Sequence, residues 1–408
     1  MFARRHWIPP AGMIFGQLCH GTSWLLALAI AIVLHADPST LPAIAWIHLV
    51  ALGWVTVTAF SVLLHAIPAF LDVTWKHESF ARVSLGIAAG AIAAFVVALC
   101  VAVPALGIVA TVVALALLAY VVTAWETLGD AFRSVDRVDR AVARAFAITL
   151  AMLALVIVLG LMLAWALSGA FLPSWIGRIP GAHANLALFG WLTLLIYGVS
   201  ARTLRPLTGT RSRWRAMHVI VGTATLAGAL VLPAGIALHA SPLEWIGGVL
   251  LALGAGCYIV DTADVLLRAT ETHRPPQAFV FAALAWLGVA ILLGAGILLG
   301  HPWQAAYVFV LLMGWVAHMV DAHVFHIGVR LLATIYRGDD DETPPSELLD
   351  ARLAWLSFAL FQFAVAAIAA GLLSHSEKAC ALGAGAGFAA WAVTMAAMLS
   401  ARRAAQAR

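Results

Sequence analysis

The chain has 408 residues, 63% of them hydrophobic and 10% charged, with a mean hydropathy of +0.99. That balance excludes an assembly of soluble domains and describes a polytopic membrane protein. The 23 Lys and Arg and 19 Asp and Glu sit mostly between apolar runs too long for soluble core helices, so the pI of 9.1 does not indicate nucleic-acid binding. Four cysteines, Cys19, Cys100, Cys257 and Cys380, all lie inside apolar runs without CxxC spacing, which argues against a disulfide framework or a thiolate zinc site.

Apolar runs of about 20 residues, the length that crosses the hydrocarbon core as a helix, predict twelve spans: 13–35, 43–70, 82–103, 105–126, 143–167, 183–205, 216–238, 242–267, 277–299, 303–334, 351–373 and 378–401. Pro104 is the thinnest division, between the third span and the fourth. No alternating strand pattern competes, and backbone groups in lipid must pair internally, so the expected architecture is an all-α bundle in a lipid bilayer. The cations divide 21 to 2 between the two sides, with Arg178 and Lys378 alone on the poorer one. By the positive-inside rule both termini face the cytoplasm of a bacterial inner membrane. Arg4 and Arg5 ahead of the first span read as part of an uncleaved signal anchor. The acidic stretch from Gly338 to Pro345 reads as a solvated connector.

Three spans share a core. The second contains His48 and Gly53-Trp54, the sixth His183, Asn185 and Gly190-Trp191, and the tenth Tyr307, Phe309 and Gly314-Trp315. Aligning the Gly-Trp pairs puts His48 opposite Asn185 and Phe309, and His65 opposite Arg202 and His326. The interval is four spans, so a chain of three four-helix units, roughly 13–126, 143–267 and 277–401, is expected within one transmembrane domain.

Twelve spans in three quasi-equivalent arcs, with histidines on the second and sixth, resemble the catalytic subunit of heme-copper oxidases and nitric-oxide reductases. The segments from Ile47 to Pro68 and from Ala182 to Pro206 are similar to short, divergent members of that superfamily, including NnrS-type proteins linked to nitric-oxide tolerance. The topological likeness covers nearly the whole chain, and the local motifs about 50 residues. The resemblance implies heme b, with copper as a second metal, and a diatomic gas or a membrane electron donor as partner. It assigns His48 to the low-spin heme ligand on the second span and His183 to a metal-ligand level on the sixth. Where the family carries His-x-His on its tenth span this chain has Tyr307 and Phe309, and its seventh span has single histidines at its ends, His218 and His239. The likeness therefore does not extend to a usual binuclear oxygen-reducing centre, and turnover of a substrate does not follow from it.

The fifteen histidines sort by depth at about 1.5 Å per residue. His48 and His183 form a periplasmic-side layer with the helix-end residues His35, His239, His301 and His375, for which an interfacial role is the simpler reading. A cytoplasmic-side layer contains His20, His65, His218, His323 and His326, with His318 nearer mid-membrane; His6, His77 and His273 fall in tails or loops. Neutral imidazole binds heme iron and copper well, and an embedded ionisable residue is a functional candidate by default. An axial pair of His65 with His323 or His326 would suit a bis-imidazole heme, and the three together copper; the bland reading is a hydrogen-bonded polar cluster. Asp321, His318, Tyr197 and Arg202 are candidate supporting or proton-path residues, with Asp321 placed to orient an imidazole. On Asp261 and Asp264 a proton path competes with an ion pair to Arg268. Two rival functions remain: a proton-coupled secondary transporter using His318 and Asp321, and a non-catalytic heme- or copper-handling assembly factor.

Overall fold

The computed structural model describes residues 8–133, 137–169, 178–271, 274–338 and 343–407. The expectations for Arg4, Arg5, His6, His273 and the acidic residues 339–342 lie outside these. Among the described residues every regular element is helical, and twelve helices are long and apolar enough to cross a membrane.

The first unit contains α1 (Ala11–Val33), α2 (Leu41–Leu71), α3 (Glu78–Val101) and α4 (Val103–Ala131). The second contains α5 (Arg140–Leu167), α6 (Ile179–Thr208), α7 (Ala216–Leu238) and α8 (Ser241–Leu267). The third contains α9 (Arg274–Leu298), α10 (Gln304–Arg337), α11 (Ala351–Ser374) and α12 (Glu377–Gln406). These spans fall within a few residues of the hydropathy reading. At Pro104 the chain makes a single 3₁₀ turn, Val103–Ala105, because the ring cannot donate to the preceding turn of α3. Side-chain caps mark other starts: the Asp350 carboxylate accepts from Arg352 N at 2.9 Å, and Ser376 Oγ from Ala379 N at 3.3 Å, satisfying orphan amides at the first turns of α11 and α12.

The most apolar windows of α2, α6 and α10 are 67%, 61% and 83% buried, against at most 50% for any other span. These three helices form the axis of the bundle and the others its jacket. The last helix of each unit packs on the first of the next, α4 on α5 and α8 on α9, and α12 returns to α1, so the jacket closes into a ring.

Each axial helix is wound as a π-helix across its Gly-Trp pair: Leu49–Thr56 in α2, Leu186–Thr193 in α6 and Val310–Val316 in α10. A π-turn adds a residue to the helical repeat and re-aims side chains, and such segments concentrate at functional sites. The extra width carries the tryptophans into the axis, where Trp54, Trp191 and Trp315 are buried. Trp191 Nε1 donates to Thr56 Oγ1 at 3.0 Å, and Trp315 Nε1 donates to Thr193 Oγ1 at 3.1 Å. Each bond runs from one unit to the threonine two residues past the Gly-Trp pair of the preceding unit. At the third such position stands Ala317, which has no hydroxyl, and Trp54 Nε1 is buried without a hydrogen bond. Trp54 instead stacks on His20, with ring centroids 3.5 Å apart and planes 6° from parallel.

Candidate functional site

One level above the tryptophans, the same cyclic relation brings together the residue preceding each π-segment and a residue two positions earlier in the next unit. In the first joint these are His48 of α2 and His183 of α6, with ring centroids 6.2 Å apart and planes 18° from parallel. In the joint between the third unit and the first they are Phe309 and Trp46, 5.7 Å apart. Asn185 and Tyr307 hold the corresponding places at the middle joint. The histidine pair is thus one of three equivalent seams, and the one whose two residues are both metal-binding types.

Local structure explains how the pair is held. His48 ends the α-helical first turns of α2, so its Nδ1 meets the carbonyl of Ile44 one turn back, at 2.8 Å. A carbonyl can only accept, so Nδ1 carries the proton and Nε2 of the neutral ring keeps its lone pair. Phe95 of α3 packs edge-on against the same ring, 5.3 Å between centroids. His183 rests on α5 where Gly160 leaves room: a Cβ on that glycine would stand 2.9 Å from His183 Cε1. Tyr307 rests in the same way on Gly294 of α9, a further sign of the repeat. The buried Nδ1 of His183 makes no hydrogen bond of good geometry, although the ring lies close enough to the Val156 backbone of α5 to interact with it.

The 6.2 Å between these two imidazoles is the spacing that a shared metal ion would require. Imidazole nitrogen binds metals at about 2.0–2.1 Å, so two rings on opposite sides of one ion have centres roughly 6 Å apart. His48 keeps a lone pair on Nε2, its tautomer fixed by a backbone carbonyl in the way that usually sets a ligand's tautomer. Among the described residues no group of three or more His, Cys, Asp or Glu side chains converges as a metal site.

The second layer lies deeper along the same three axial helices. His65, Arg202 and His326 are half-buried at equivalent positions of the three axial helices. His323 is engaged at both nitrogens, Nδ1 with Met319 O at 2.6 Å and Nε2 with Thr203 Oγ1 at 2.9 Å, so its ring ties α10 to α6. Asp321 does not orient an imidazole through Oδ1, which is buried and without a partner. Tyr197 stacks on Tyr258 of α8 at 4.2 Å. Asp264 resolves as an ion-pair centre, bonded by Arg268 at 2.6 Å and by Arg213, while Asp261 accepts from Ser212 at 2.5 Å and lies 3.7 Å from His218.

Helix-end histidines have structural work. His35, His239 and His375 take left-handed backbone at the ends of α1, α7 and α11, with φ of 52°, 53° and 55°, the conformation that closes a helix C-terminus. His301 stacks on Trp303 at 4.4 Å.

Two features were not anticipated from the sequence. An apolar cavity of about 430 Å³ lies at the Phe309–Trp46 joint, lined from α1, α2, α10, α11 and α12. Below it His20 and His318 approach Phe361 from two sides, at 6.3 and 4.5 Å between centroids. The clue for His20 was the missing hydroxyl: Gly-Trp-x-Thr occurs twice and Gly-Trp-x-Ala once. No protein-family model matches the chain, and no curated protein matches it.

Proposed function

We propose that the chain is a divergent, heme-binding member of the heme-copper oxidase superfamily in a bacterial inner membrane, with both termini cytoplasmic. In this reading heme b is held by His48 and His183. The observation that carries it is the facing of these two imidazoles across the first inter-unit seam, 6.2 Å apart, with His48 Nδ1 tied to Ile44 O. Bound heme would supply reversible one-electron chemistry. Were both imidazoles to bind the iron, electron transfer would be favoured over reduction or sensing of nitric oxide or oxygen, since gas chemistry needs a vacant position. Copper is the competing metal, because two neutral imidazoles suit it as well.

The test is the absorption spectrum of the protein purified after heme-replete expression, with iron and copper analysis. A Soret band with b-type bands on reduction, unchanged by carbon monoxide, supports a bis-imidazole electron carrier. A change with carbon monoxide or nitric oxide supports gas chemistry instead. Colourless protein containing copper supports the copper alternative, and protein with neither metal removes the reading.

Proton-coupled transport has one specific observation in its favour: Asp321 and His318 are fully buried on the axial helix α10, where ionisable groups serve substrate or proton pathways. Substrate-dependent proton movement in vesicles by metal-free protein would favour it.

A further inference from the structure

The third unit departs from the other two at one place. In the first unit Phe60 of α2 stacks on Tyr120 of α4, at 3.8 Å, and in the second Tyr197 of α6 stacks on Tyr258 of α8, at 4.2 Å. Counting from the Gly-Trp pair, the equivalent of Phe60 and Tyr197 in α10 is Asp321. Counting from the start of the fourth span, the equivalent of Tyr120 and Tyr258 is Thr394 of α12, which bonds Ser357 of α11 at 2.6 Å. Two aromatic rings have been replaced by a carboxyl and a small hydroxyl residue, so the third unit is both less filled and more polar at this level.

Asp321 is 3% exposed, its Oδ1 has no hydrogen-bond partner, and no cationic side chain pairs with it among the described residues. Opposite lies α1. Met13 lies 3.5 Å from where a Cβ on Gly328 of α10 would stand, and Phe361 of α11 is in ring contact with both His20 and His318, so α1 approaches α10 here with Phe361 beside them. The two helices run in opposite directions. Gln17, one turn before His20, and Asp321, one turn after His318, therefore stand at the same depth, below the His20–Phe361–His318 layer. Gln17 is 7% exposed and its Oε1 also lacks a partner.

The neighbouring imidazoles have defined roles. Trp286 Nε1 donates to Gln362 Oε1 at 3.0 Å, which turns the Gln362 amide nitrogen toward His318 Nε2, at 2.5 Å. His318 Nδ1 donates to Met313 O at 2.8 Å, so this ring is neutral and satisfied. His20 Nε2 accepts from Trp24 Nε1 at 2.9 Å, which leaves its proton on Nδ1, a buried donor without a partner. Three buried unpartnered polar atoms, His20 Nδ1, Gln17 Oε1 and Asp321 Oδ1, thus fall within about one turn of depth on α1 and α10. Buried polar groups are normally satisfied by protein or by ordered water.

We propose that Asp321, Gln17 and His20 form a proton-binding site inside the helical bundle, separate from the His48–His183 seam. The bound proton sits on the Asp321 carboxyl, carboxylate plus proton giving carboxylic acid, and that O–H donates to Gln17 Oε1 directly or through one buried water. The site gives the protein a place to load and release a proton inside the bilayer, and it stands whether or not a heme is present.

The test is difference infrared spectroscopy on the full chain in lipid, as purified. Wild type minus Asp321→Asn should contain a protonated-carboxyl C=O band at neutral pH that shifts in deuterium oxide, moves in Asp321→Glu, shifts in Gln17→Leu and is indifferent to sodium. Absence of any such band at neutral pH, or its loss on adding sodium, overturns the proposal. If Asp321→Asn does not fold, wild type minus Asp321→Glu carries the same decision. A colourless preparation that keeps the band would sink the heme reading and leave this site intact.

Discussion

The His48 ring faces that of His183 across the seam between the first and second units, 6.2 Å between centroids and 18° from parallel. The equivalent seam between the third unit and the first is filled by Phe309 and Trp46. Geometry that packs two large aromatic rings in one seam thus brings two imidazoles together in another. Replacing either histidine by alanine should abolish the b-type spectrum or reduce heme content at least severalfold, with the protein still eluting as a folded species. His35→Ala, at an exposed helix end beside Glu377, should leave the spectrum unchanged. Equal loss in all three variants would place the cofactor elsewhere.

Gly160 supports that seam from below. Because a Cβ there would lie 2.9 Å from His183 Cε1, Gly160→Ala must displace the ring by some tenths of an ångström. Its expected signature is a shifted low-spin spectrum or lower heme occupancy with little change in melting temperature. An unaltered spectrum in a folded Gly160→Ala protein would show that His183 is not held as described.

The tryptophan bonds of the axis make a second, cofactor-independent test. Thr56→Val leaves Trp191 Nε1 buried without its acceptor and should cost about 1–3 kcal/mol. Ala317→Thr supplies the hydroxyl missing opposite Trp54 Nε1 and should stabilise by about 0.5–1.5 kcal/mol. Thermal melts in one detergent compare them; a fall in stability for Ala317→Thr would refute the cyclic relation at its third position.

The loop joining α1 to α2 is pH-sensitive in a defined direction. Ser39 places its hydroxyl and its amide on Asp37 Oδ1, at 2.7 and 2.8 Å, and these bonds hold the carboxyl below the usual carboxylate range. A lowered carboxyl adds order that is complete above its unfolded value and is lost as pH falls through the folded one. Hydrogen exchange in residues 34–40, corrected for intrinsic rate, should therefore rise on acidification in wild type and be high at all pH values in Asp37→Ala. Unchanged protection in that variant would contradict the assignment.

Much of the architecture was legible in the sequence because lipid imposes a length rule on apolar runs, and Gly53-Trp54, Gly190-Trp191 and Gly314-Trp315 mark the repeat. The π-winding was not, since nothing in the composition of Leu49–Thr56 separates a π-helix from an α-helix. His48 and His183 were legible as individuals, and their pairing required the offset of two residues between neighbouring units. The contact of His323 with Thr203 of α6 was not legible, because spacing along α10 shows only its neighbour His326 and not what the facing helix presents. For His20 the one hint in the sequence is Ala317, which stands where the other two units carry threonine, and Gln17 gives none, because its place depends on α12 returning to α1.

The decisive measurement is the reduced-minus-oxidised absorption spectrum of wild-type protein beside His48→Ala and His183→Ala, each with its iron content. A b-type spectrum in wild type that is lost in both variants is the expected result. A heme spectrum that survives both substitutions, or folded wild-type protein with no iron and no colour, contradicts the assignment of His48 and His183 as the pair that holds the heme.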